Sequence, residues 1–142
     1  MRIVPLFLVL ASPAAAWEFT DVPICTLSHQ APEGQVVVTF DPALPEYAIA
    51  VTLAQGTWPT DPVFAITFDG ALPLTIRTDR QVLSEDGRTL TVRDSGFGNV
   101  LDGLEMNSMA VAFLGGTAAH IPLMGAGPAV REFRACPAPG VS

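Results

Sequence analysis

Apolar residues recur at every second position through most of this chain, and that period commits it to β-strands with one buried face. Glu46 to Leu53 is the clearest case: Tyr47, Ile49, Val51 and Leu53 alternate with Ala48, Ala50 and Thr52. Val36, Val38 and Phe40 repeat the pattern within Gln35 to Asp41, and Phe64, Ile66 and Phe68 within Val63 to Phe68. Leu72, Leu74 and Ile76 do so within Leu72 to Thr78. Ile24 to His29 reads as the first strand. Gln81 to Leu83, Thr89 to Val92, Ser108 to Leu114 and Thr117 to Leu123 read as further ones.

Turn chemistry separates these runs. Asp69-Gly70 and Asp86-Gly87 are expected to be tight hairpin turns, because glycine tolerates the positive φ they demand. Two such hairpins in succession predict a meander and an antiparallel sheet. Residues 54–62, with Gly56, Pro59 and Pro62, form a loop, and Gly115-Gly116 a turn. The last third adds helices. Asn99 is placed to cap a short helix from Val100 to Met106, with Val100, Leu101 and Leu104 inward and Gly103 weakening it. Pro128 suits the first position of a C-terminal helix over about 128–135. Val130 and Phe133 would face the core there, with Arg131 and Arg134 in water near the helix end. The fold expected is mainly β: an antiparallel sandwich or partly open barrel with one or two short helices.

The ends of the chain predict its compartment. Arg2, an apolar run from Ile3 to Ala11, the Ser12-Pro13 break and Ala14-Ala15-Ala16 have the order of a secretory signal peptide over residues 1–16. The run is shorter than the roughly 20 residues a membrane span requires, so no span is expected after cleavage. A single β-rich domain over 17–136 follows, then a disordered tail over 137–142. The location expected is the periplasm or the exterior. Two cysteines remain, Cys25 and Cys136, and in an exported chain an even count implies pairing. The expected disulfide would tie the first strand to the final helix.

Charge narrows the partners. The whole chain carries seven basic residues, all arginine, against fourteen acidic ones, a net −7. An acidic chain without a basic block repels phosphate backbones, so no nucleic-acid partner is expected. Anionic membrane surfaces are excluded on the same ground.

Catalytic motifs are absent. There is no P-loop, no G-x-S-x-G elbow and no paired His or Cys zinc motif. Gly96-Phe97-Gly98 reads as a turn before the helix. His29 and His120, the only histidines, lie in separate strands, and an acid–base or metal role would require them to meet. Met106, Met109 and Met124 with His120 offer soft ligands for copper, but methionine is also ordinary core filler. Asp94, Asp102 and Glu105 read as a solvated, capping face, and Ser95 beside Asp94 lacks the geometry that defines a triad. No catalytic, cofactor-binding or metal-ligating residue is assigned.

Ile121-Pro122-Leu123, followed by Gly125-Ala126, Ala129, Phe133 and Cys136, resembles the C-terminal end of the invasion-associated locus B family and related exported proteins of proteobacteria. In those a strand with an Ile-x-Leu core precedes a Gly-x-x-x-Ala helix ending in cysteine. The likeness covers about sixteen residues. It implies a periplasmic β-rich fold and a role at the cell envelope, and carries no catalytic residue across. From Trp17-Glu18-Phe19 through Phe97 to Leu104 and on to Cys136, the chain is also similar to short exported proteins of marine and photosynthetic alphaproteobacteria. Some of these bear the name of an excinuclease component. The residues contradict that name, since a repair helicase needs a nucleotide-binding loop and a basic DNA-binding surface.

The function expected is that of a periplasmic, non-enzymatic protein binding a protein or envelope partner. A small secreted hydrolase with an unrecognised site, and a ligand carrier or inhibitor using a barrel mouth, are the alternatives. Clustering of His29, His120 and a carboxylate would favour the hydrolase. A deep apolar cavity would favour the carrier. A closed core with an exposed apolar patch would favour partner binding.

Overall fold

The computed structural model describes residues 3–5 and 16–136. Most of the expected signal segment and all of the expected 137–142 tail lie outside the described residues. Ten strands and two helices follow one another. The strands are β1 (Glu18–Thr20), β2 (Cys25–Gln30), β3 (Gly34–Asp41), β4 (Glu46–Leu53) and β5 (Phe64–Gly70), then β6 (Leu74–Thr78), β7 (Val82–Leu83) and β8 (Thr89–Asp94). Helix α1 (Gly98–Met106), β9 (Asn107–Leu114), β10 (Thr117–Pro122) and helix α2 (Ala126–Ala135) follow among the described residues.

Mainly β architecture is what forms: two antiparallel sheets, neither closed, with two short helices. The six-stranded sheet runs β1-β2-β3-β4-β8-β7 and the four-stranded sheet β10-β9-β5-β6. Their inner faces share one core. Leu27, Val38, Val51 and Leu90 come from the first sheet, and Phe64, Phe68, Leu114 and Ile121 from the second. In β4 the alternation is obeyed from Ile49 onward, with Ile49, Val51 and Leu53 buried and Tyr47 partly so.

The helices close one end. Val130 and Phe133 of α2 are fully buried, as their spacing predicts. Tyr47 stacks on Phe97 at 5.4 Å and leans on Phe133 at 6.1 Å, joining β4 to both helical segments. Cys25 and Cys136 are disulfide-bonded, with Cα atoms 6.2 Å apart, inside the usual range.

Several expectations are corrected. Cys25 opens β2, not the first strand, because the short β1 precedes it and pairs with it. The two Asp-Gly segments do not build one meander. β5–β6 and β7–β8 are hairpins of different sheets, since the chain crosses between sheets after β6. Asp69-Gly70 is not a tight turn: β5 runs through it and bulges against β9. Gly70, at φ 152°, is needed there because a Cβ would lie 2.6 Å from the Ser108 nitrogen. Leu72 consequently falls in the connection and is exposed.

At the helices, α1 starts at Gly98 with Phe97 at the cap and no side-chain cap bond, so Asn99 lies inside it. α2 starts two residues before Pro128, where Gly125 turns the chain at φ 82°. Pro128 is still within the first turn, whose N–H groups have no intrahelical acceptor. Arg134 is only partly exposed. It crosses to α1 and bonds the Asp102 carboxylate, with its Nε 3.2 Å from Glu105.

Candidate functional site

The two sheets part where β6 faces β8, and a cleft of about 640 Å³ opens there. Its walls are apolar. Ile49 of β4 and Val92 of β8 come from one sheet, and Phe64, Ile66 and Ile76 from the other. All five occupy inward positions of period-two strands, so the pattern that builds the core also lines the cleft. Ile76 points inward yet is only half-buried, which marks the place where the sheets separate.

Phe97 and Val100 roof the cleft. Phe97 is held down by its stack on Tyr47. The glycines on either side, Gly96 and Gly98, have no atom within 4 Å of where a Cβ would stand. The turn expected at Gly96-Phe97-Gly98 is therefore the edge of the opening.

The rim is polar. Asp79, Arg80, Asp94 and Asn99 surround the mouth, and Arg77 borders it from a strand position that alternates outward from Ile76. Arg80 stands 3.7 Å from Asp94, and Asp94 also accepts the Ser95 N–H at 2.7 Å. An apolar pocket of some 300–1,000 Å³ with a few polar groups at its edge is the usual form of a small-molecule site.

The residues singled out in the sequence are dispersed by the fold. His29 stacks on Trp17 with ring centroids 4.7 Å apart. His120 instead meets Glu33, at the tip of the β2–β3 hairpin. That carboxylate takes the His120 backbone N–H and contacts its Nδ1, both at 3.0 Å. The backbone hydrogen bond first, and the ring contact second, hold the Glu33 carboxyl below the ordinary glutamate value. The two histidines thus engage separate partners.

The acidic group divides as well. Asp94 joins the cleft rim, while Asp102 and Glu105 clamp α2 through Arg134, with Arg131 3.6 Å from Glu105. Met106 and Met124 are exposed. Among the described residues, no three His, Cys, Asp or Glu side chains gather as a metal site.

Sequence reasoning missed Arg77, Asp79 and Arg80. Nothing local distinguishes them from any solvated strand end, and only the separation of the sheets makes them a rim. No family model, curated protein or solved structure matches this chain. Among the described residues no helix is long and apolar enough to cross a membrane, and the disulfide is consistent with an extracytoplasmic location.

Proposed function

We propose that this chain is a periplasmic, non-enzymatic binding protein and that its ligand is a small molecule with an apolar body, seated between the two sheets. The cleft carries the reading: about 640 Å³, apolar walls and a polar rim. Ile49, Ile66 and Val92 are already buried and form the apolar floor, so an apolar ligand would gain affinity chiefly by covering the half-buried Ile76. The rim groups would orient whatever polar end the ligand has. The disulfide supports the compartment, since such bonds persist where the environment is oxidising.

A neutral apolar dye, N-phenyl-1-naphthylamine, tests this directly. Its fluorescence should rise and saturate with the protein. Ile76→Trp, which narrows the cleft from a half-buried position, should weaken the rise while leaving the melting temperature close to wild type. No rise with the wild type, or an equal rise with a folded Ile76→Trp, would refute the cleft as a ligand site.

A further inference from the structure

We infer that the outer face of the four-stranded sheet is an interface for a second copy of this chain. From Met109 to Leu114, strand β9 is apolar on both of its faces. Two of its core-facing positions carry the small Ala110 and Ala112, whereas Met109, Val111 and Phe113 point away from the core. A strand with one solvated face places polar residues on that face; a strand apolar on both faces reads as covered on both. The helices do not supply the cover. α1 lies against the inward-facing Phe68, α2 packs on β1 and β2, and Phe113 is 40% exposed.

The second copy is indicated by how large and small residues are arranged. Phe113 of β9 is level with Ala65 of β5, and Val111 with Thr67. Large side chains thus stand on one central strand and small ones on its neighbour. A two-fold axis parallel to the strands, between β5 and β9, lays β9 of each copy over β5 of the other. Phe113 then meets Ala65 and Val111 meets Thr67, in a self-complementary, isologous contact. The Thr67 and Thr75 hydroxyls share a hydrogen bond at 3.1 Å, which lowers the cost of covering Thr67.

Charge agrees with the same rotation. Arg77, level with Ala65 on the edge strand β6, forms no ion pair among the described residues. The axis carries it over β10 of the other copy, on the side where Glu33 lies against His120. Four strands about 4.8 Å apart give a face roughly 20 Å wide, at the small and readily dissociating end of interface sizes.

Sedimentation velocity of the disulfide-bonded protein between about 5 and about 500 µM tests the proposal, since mass action makes such a dimer concentration-dependent. The wild type should pass reversibly from monomer to dimer. Phe113→Arg and, separately, Ala65→Arg should remain monomeric at the highest concentration, with melting temperatures near wild type because both positions face away from the core. Should either variant fail to fold, the other decides. Thr91→Arg, on the outer face of the six-stranded sheet, should dimerise like the wild type. A wild type that is monomeric throughout would overturn the proposal, as would a dimer that persists in a folded Phe113→Arg or Ala65→Arg, or one broken by Thr91→Arg.

Discussion

Gly103 of α1 lies against the ring of Phe68 so closely that a Cβ on it would stand 2.5 Å from the ring carbons. Helix propensity alone favours Gly103→Ala by about 1 kcal/mol. Packing opposes it, because Phe68 is 1% exposed and its ring would have to shift to admit the Cβ. Overpacking of this kind typically costs about 1–3 kcal/mol. Gly103→Ala is therefore expected to destabilise the protein, read as a lower urea midpoint. A raised midpoint would mean the ring yields.

Asn107 is the buried polar residue of the core. Its Oδ1 accepts the Leu72 N–H at 3.0 Å, and its Nδ2 donates to the Leu72 and Gly103 carbonyls at 2.9 and 3.0 Å. One side chain thus fastens the β5–β6 connection to the end of α1. Asn107→Ala removes all three bonds and should cost roughly 2–3 kcal/mol, allowing for partners left dry. Denaturant unfolding reads the loss directly, and a change under about 0.5 kcal/mol would contradict the account.

The disulfide closes a sequence separation of 111 residues. On the chain-entropy model a loop of that length is worth roughly 4–5 kcal/mol, as a constraint on the unfolded chain. Cys25→Ala/Cys136→Ala should lower the melting temperature clearly. The same strands should persist, because their hydrogen-bonded registers do not pass through sulfur. Thermal melts with far-ultraviolet circular dichroism report both quantities, and labelling of the denatured, unreduced wild type should find no free thiol.

Acid should loosen the tie between the sheets. Glu33 is depressed in the folded state, chiefly by the His120 backbone N–H. A carboxylate with a lowered folded value contributes stability that is full above its unfolded pKa and is lost as pH falls through the folded one. Asp86 behaves alike, held down first by the Ser84 hydroxyl and then by the Arg88 N–H. Melting temperature should therefore fall below the ordinary carboxylate range. Glu33→Gln should be less stable at neutral pH and should lose less than wild type on acidification. Parallel curves for the two proteins would disprove the linkage.

Much of the fold could be read locally. Tyr47, Ile49, Val51 and Leu53 specify both the existence of β4 and its buried face, because the pleat turns every second side chain the same way. Val130 and Phe133 likewise specify the inner face of α2. The cleft was less legible. Its wall residues look like any core positions, and Arg77 and Arg80 look like any strand-end charges. What makes them a candidate site is the gap between β6 and β8, which no run of neighbouring residues encodes.

By itself, then, the sequence determined the mainly β class, the strand faces and the pairing of Cys25 with Cys136. Each follows from spacing along the chain or from a count that admits one solution. Only the tertiary structure decided that β5–β6 and β7–β8 belong to different sheets, that His29 and His120 take different partners, and that Arg134 turns to α1. Those outcomes depend on contacts between residues far apart in the chain, such as Arg134 with Asp102 and His120 with Glu33. Alternation says which way a side chain points, but which neighbour it meets is chosen by the packing of the whole core.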